Sequence, residues 1–159
     1  MTERFTTRMA VFILMRNKEG KILLQQRANT GYLDGYYDFA CSGHVDPDED
    51  IRMCATRELK EEVGIIAKEA DLRLVHIDHY FLDQNYVNFT FELDAWEGDP
   101  TIAEPEKCSD LDWFAVDELP KKCVNVLRVN EQAGFSQELT YSITNYKTYE
   151  TIMGEPFRR

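Results

Sequence analysis

The chain has 159 residues, 43% of them hydrophobic and 12% aromatic, with 18 Lys plus Arg against 29 Asp plus Glu for a net charge of −11. That length suits one domain, residues 1–159, with a sizeable core, and this much apolar and aromatic content excludes a disordered chain. The negative balance excludes sequence-independent binding to duplex nucleic acid, which needs a basic face, but admits a small phosphorylated ligand whose charge a metal ion offsets.

In chain order, residues 9–15 form a continuous apolar run of strand length, and 17–20 supply a turn. Residues 21–27 (KILLQQR) read as a second strand, so the two are expected to form a hairpin. Residues 29–37 (NTGYLDGYY) are rich in turn formers and aromatics and read as a loop, and 39–45 lead into the acids Asp46, Asp48, Glu49 and Asp50. A helix is predicted over 50–63, closed by Gly64 in the position of a C-terminal cap. Residues 72–81 read as a strand. In 86–94, Val87, Phe89, Phe91 and Leu93 alternate with Asn88, Thr90, Glu92 and Asp94, the period of a half-buried antiparallel strand. A loop over 98–106 contains Pro100 and Pro105, 111–116 form another strand, and a second helix is predicted over 123–133. The polar and aromatic tail after Gly134 carries no clear period. Strands before and after the first helix lack βαβ regularity, which implies a mixed sheet with flanking helices.

No apolar run approaches the ~20 residues that span a bilayer. Residues 1–4 have no signal-peptide core, and the four cysteines lack CxxC spacing. These features predict a cytoplasmic protein with free thiols and no membrane partner.

The first helix carries the chemistry. On a wheel of about 100° per residue, with Ile51 at zero, Ala55, Leu59 and Cys54 make an apolar stripe. Glu62 and Glu58 fall within about 20° of Ile51, inside that stripe, and Glu61 lies at its edge. A solvated acidic face would keep its carboxylates out of the stripe, because burying an unpaired one is costly. Acids at i and i+4 also repel each other. Arg57 and Lys60 point elsewhere on the wheel, so a divalent cation is expected, and an all-oxygen site favours Mg²⁺ with Mn²⁺ as a substitute. An arginine from elsewhere in the chain, such as Arg27, is the competing structural solution. Gly43, in the loop before the helix, allows close backbone approach to a metal or phosphate.

These residues also spell a family pattern. Gly43, five residues, Glu49, seven residues, then Arg57-Glu58-Leu59-Lys60-Glu61-Glu62-Val63-Gly64-Ile65 resembles the Nudix box at every specified position, over 23 residues. The flanks NTGYLDGYYDFACSGHVDPDE and EPEKCSDLDWFAVDELP resemble those of MutT-like bacterial members, up to about Pro120. The resemblance implies an α/β/α sandwich around a mixed sheet. It implies Mg²⁺-dependent hydrolysis of a pyrophosphate bond in a nucleoside diphosphate linked to X, with a (deoxy)nucleoside triphosphate as the leading substrate. ADP-ribose or a nucleotide sugar is the alternative, and a non-catalytic nucleotide sensor a further one. By position, Glu58 and Glu62 would bind metal beside Gly43, Glu61 would be a further ligand or the general base, and Arg57 would orient the glutamates, with Glu49 as its partner. Members often recruit a later acid, for which Glu104 and Glu106 are both candidates. Many relatives are homodimers.

The sequence also departs from the common pattern. Tyr37 stands where many relatives have Trp, and Ala40-Cys41-Ser42 replaces the usual proline-containing approach to the box glycine. In isopentenyl-diphosphate isomerases, which share this spacing, a cysteine directly precedes the Gly-His pair, whereas Ser42 does so here. Those isomerases have a degraded box, so that activity is the least favoured. Candidate substrate contacts are Arg27, which can meet a phosphate bidentately, the aromatics Tyr37 and Phe39 with Tyr32 and Tyr36, and His44. Asn125 and Asn130 offer amides on the second predicted helix. His76 and His79 fall on opposite faces of a strand, which excludes them as a ligand pair.

Overall fold

The structure, a computed structural model, describes residues 4–123 and 138–154. It contains strands β1 (Arg8–Met15), β2 (Ile22–Arg27), β3 (Tyr37–Phe39) and β4 (Cys41–His44), helix α1 (Ile51–Val63) and a 3-10 turn (Glu69–Asp71). Strands β5 (Arg73–Phe81), β6 (Asn85–Leu93), β7 (Cys108–Phe114) and β8 (Thr140–Thr144) follow, then helix α2 (Tyr146–Met153). One sheet has the order β4-β1-β6-β5-β8 and a smaller one the order β3-β2-β7. The larger sheet is mixed, since β1 runs antiparallel to β4 and parallel to β6.

The apolar run of β1 makes it a central strand, covered on both faces. Val11, Ile13 and Met15 join a core with Cys54, Ala55, Leu59 and Val63 of α1. Leu14 points the other way, into a second cluster with Ile22, Leu24, Phe39 and Cys123. The helix that the mixed-sheet reading required therefore lies on one face. The predicted second helix, with Asn125 and Asn130, lies outside the described residues.

The expected β1–β2 hairpin does not form a ladder. The Asn17 N–H bonds the Lys21 carbonyl at 2.9 Å and one bridge joins Arg16 to Ile22. Beyond that turn the strands part into different sheets. β1 and the first half of β2 (Ile22, Leu23 and Leu24) are buried on both faces, as interior strands are: β1 takes β4 and β6 as neighbours, while β2 takes β3 and β7. The segment read as loop and approach is also strand, β3 and β4 on either side of buried Ala40, where the chain steps from the small sheet to the large one.

Helix α1 begins and ends where the sequence places it. The Asp50 carboxylate accepts the Arg52 and Met53 N–H groups at 2.8 and 3.0 Å, and Gly64 closes the helix at φ 71°. Arg52 anchors its start by donating to the Glu69 and Leu72 carbonyls at 2.7 and 2.6 Å. In the tail, β8 runs parallel to β5, and α2 starts with a capping box in which Asn145 and Thr148 bond each other's backbone. Among the described residues no helix is long and apolar enough to cross a membrane. All four cysteines are buried thiols.

Candidate active site

Strand β4 and helix α1 pack closely enough to decide where the glutamates go. A Cβ on Gly43 would lie 2.0 Å from Glu58 Oε1, so only glycine leaves room for that carboxylate. One residue earlier, the Ser42 N–H donates to Glu62 Oε2 at 2.9 Å. The helical period separates the three acids: the Glu58 side chain is 13% exposed and Glu61 58%.

Arg57 gathers the box acids. Its guanidinium meets both oxygens of Glu49, at 3.0 and 2.6 Å, Glu58 Oε1 at 2.7 Å and Glu61 Oε2 at 3.2 Å, and it donates to the His44 carbonyl at 3.2 Å. The Glu49 carboxyl is held down to about 2, chiefly by the Arg57 hydrogen bonds. The expectation that no basic side chain of this helix reaches the inward acids needs correction. The wheel fixes the Cβ direction of Arg57, but the long side chain folds back onto its neighbour Glu58. Arg27, the alternative partner, meets Asp38 at 3.6 Å and bonds the Tyr32 carbonyl and Thr30.

Glu62 has no salt bridge to another described residue. Burial raises its carboxyl to about 7; the Ser42 N–H opposes this, and the Glu58 and Glu104 charges add to it. Burial also raises Glu58, against the pull of Arg57. Glu62 and Glu104 line a cleft of about 410 Å³ between the two sheets, together with Ser42, Gly43, Arg27 and Lys107. Glu104 comes from the loop before β7, which is tied to the end of α1 by Ala103 N–H to the Glu62 carbonyl at 3.1 Å. Lys107 pairs with Glu104 at 2.9 Å.

Glu58, Glu62 and Glu104 offer only oxygen donors, and burial disfavours the charged form of Glu62, which forms no salt bridge to another described residue. That chemistry fits a hard divalent cation. Among the described residues no three metal-ligating side chains are already gathered at coordination distance. Arg57 instead holds the Glu58 carboxylate, at 2.7 Å.

The other candidates divide by placement. His44 lines the cleft, with its ring 5.6 Å from Tyr86, and Arg27 lines it too. Glu61 faces solvent outside the cleft and touches the site through Arg57. Phe39, expected to contact substrate, is 1% exposed behind Phe12, at 5.7 Å between ring centroids, so it supports the cleft by packing. Tyr37 is likewise a packing residue, its hydroxyl bonded to Asp110 and its ring edge-on to Phe114. Glu106 is not among the cleft residues; its carbonyl accepts from the Asn29 amide at 3.1 Å. Sequence reasoning missed Lys107, Phe12, Gln25 and Asp38 in the cleft wall. Their positions follow from how the sheets meet, which no local period encodes. His76 is buried and bonded to Thr140 and Ser142, whereas His79 is exposed.

Residues 6–139 match the family model described as NUDIX domain. The "Uncharacterized Nudix hydrolase YfcD" of Escherichia coli (strain K12) is 29% identical over 115 residues, covering 72% of this chain and 62% of that protein. The chain thus spans less than two thirds of that relative. The isopentenyl-diphosphate Delta-isomerase of Rhodobacter capsulatus is 34% identical over 119 residues, covering 69% and 64%. Among solved structures, the MutT NUDIX hydrolase from Burkholderia pseudomallei aligns with a TM-score of 0.72 at 24% identity, over 81% of this chain and 98% of that one.

Proposed function

This chain belongs to the Nudix family, and on that premise we propose that it hydrolyses a pyrophosphate bond in a nucleoside diphosphate linked to X, most readily a nucleoside triphosphate. The observation that carries this is the placement of Glu62 and Glu104 on one cleft, with Glu58 pressed beneath Gly43 beside them. Glu58, Glu62 and Glu104 would hold Mg²⁺ or Mn²⁺. The chemistry such a cation supplies is neutralisation of the diphosphate and activation of water for attack on phosphorus.

The chain's own residues do the rest. Arg57 presets Glu58 and is itself fixed by Glu49 through two hydrogen bonds. Ser42 N–H orients the Glu62 carboxylate. Arg27 and Lys107 put positive charge on the cleft wall, where phosphate oxygens would sit. With no cation bound, burial raises Glu62 to about 7, and a cation held there would favour its charged form. One water is consumed as one P–O–P linkage breaks.

The isomerase relative favours a second reading, in which isopentenyl diphosphate is rearranged. Against it, Ser42 stands on the cleft where those isomerases have cysteine, and Cys41 is fully buried in the core against α1. Its thiol, raised far above its ordinary range by burial and then by Glu62 and Glu58, is kept neutral.

The test is turnover of nucleoside triphosphates, ADP-ribose, dinucleoside polyphosphates and isopentenyl diphosphate, with Mg²⁺, with EDTA, and with Glu62→Gln. Metal-dependent phosphate or pyrophosphate release that the variant loses supports hydrolysis. Isomerisation of isopentenyl diphosphate with no hydrolysis overturns it. Nucleotide binding without turnover would instead support a sensor domain.

A further inference from the structure

The face of the large sheet turned away from α1 carries a second feature beside the acid cleft. Opposed residues on neighbouring strands share a face. The register therefore places His44, Ala10, Asn88 and Asp78 in one row, with Arg8, Tyr86 and Tyr80 in the next. Ala10 is the small residue between Phe12 and Arg8 on its side of β1, and it leaves a depression. The result is a recess of about 260 Å³ lined by Ala10, Phe12, Tyr32, His44, Tyr80, Tyr86 and Asn88. It shares Ala10, Phe12, Tyr32 and His44 with the acid cleft, so the two form one trough.

The walls are set before any ligand arrives. The Tyr86 ring packs against His44 at 5.6 Å and Tyr80 at 6.3 Å, with the Arg8 guanidinium over it at 5.9 Å. Across the trough, Tyr32 is 45% exposed, yet Arg27 holds it through its carbonyl at 2.9 Å and lies over its ring at 5.8 Å. The Asp34 carboxylate ties down the same loop by accepting the Thr30 and Gly31 N–H groups at 3.0 and 3.1 Å. On the floor, the half-buried Asn88 amide makes no hydrogen bond to another described residue.

We propose that this recess over Ala10 seats the nucleobase of the substrate, stacked against Tyr32 and Tyr86 with its edge on Asn88. The inference rests on the hydrolase reading for where the phosphates lie. Aromatic faces take planar heterocycles of any kind, and a carboxamide presents one donor and one acceptor side by side, the complement of a base edge. A prenyl chain would match the apolar walls but offer the Asn88 amide no partner, whereas a base edge pairs with it.

The test is calorimetric titration with AMP and with ribose 5-phosphate, both with Mg²⁺, of the wild type and the variants Tyr32→Ala, Asn88→Ala and Ala10→Leu. Tyr32 sits on an exposed loop, so its truncation leaves the sheet intact, and circular dichroism checks the other two. The expected result is AMP affinity about tenfold weaker in each variant, with ribose 5-phosphate affinity moved by much less. Equal weakening of both ligands, no weakening, or wild-type binding of AMP no tighter than ribose 5-phosphate would overturn the proposal. Failure of the hydrolase reading looks different: a base-dependent difference in binding without turnover of any base-bearing diphosphate.

Discussion

Glu62 joins two demands that conflict. Its carboxyl is raised to about 7 mainly by burial, so the folded protein holds a proton there that the unfolded chain gives up near its ordinary value of 4.5. A raised acid costs stability as pH climbs from about 4.5 through about 7, because the folded state must then bury a charge. In EDTA, Glu62→Gln is therefore expected to stabilise the fold at pH 8 by roughly 2 kcal/mol, allowing for partial exposure, and to leave it little changed at pH 4.5. Urea titrations at the two pH values check this. The same variant is expected to lose activity by on the order of a hundredfold or more. Glu49 behaves in the opposite sense. Its carboxyl is lowered to about 2 by Arg57, so the stability it lends is present above about 4.5 and lost as pH falls toward 2. Acid melts of Glu49→Gln should show a flatter pH dependence over that window. Gly43→Ala would put a methyl into the Glu58 carboxylate and is expected to cut turnover sharply while circular dichroism stays native.

Helix α1 shows what a sequence discloses about an element. Its period placed Glu58 and Glu62 inward and Glu61 at the edge, and its two caps, Asp50 and Gly64, were readable as residue types. All of that is local chemistry, written within one span of chain. The strand partners were not readable in this way. Residues 9–15 and 21–27 read correctly as strands, but their turn suggested a hairpin, because adjacency in sequence says nothing about which other strands compete for each edge. The tail escaped for a related reason: β8 is held at the sheet edge by Thr140, Ser142 and Thr144 bonding His76 and Asp78, a polar attachment without apolar period. The caps also support a prediction. Gly64→Ala places a Cβ at φ 71°, 3.3 Å from Thr101 Oγ1, and should cost about 1 kcal/mol in thermal or urea unfolding.

At the scale of the whole molecule, the cleft exists because two sheets meet along the Ala40 step and one loop spans from α1 to the small sheet. That loop, which joins β6 to β7, is tied to the helix end by Thr101 N–H to the Val63 carbonyl and Ala103 N–H to the Glu62 carbonyl, at 3.0 and 3.1 Å. It reaches the other side where Ala28 N–H bonds the Lys107 carbonyl at 2.9 Å. Two acids lie on it, and the sequence offered no ground for choosing between Glu104 and Glu106. Tertiary placement separates them: Glu104 lines the cleft and adds to the charge that Glu62 feels, while Glu106 is not among the lining residues. Glu104→Gln is therefore expected to lower kcat/KM on the order of a hundredfold, with the loss partly recovered at higher Mg²⁺ if the side chain serves the cation. Glu106→Gln should stay within about twofold of wild type, since a surface substitution away from such features changes little. Because Lys107 is paired with Glu104 at 2.9 Å, Glu104→Gln also frees an ammonium on the cleft wall. A double substitution with Lys107→Met separates that effect from loss of the carboxylate. Parallel losses in the Glu104 and Glu106 variants would place the functional acid elsewhere.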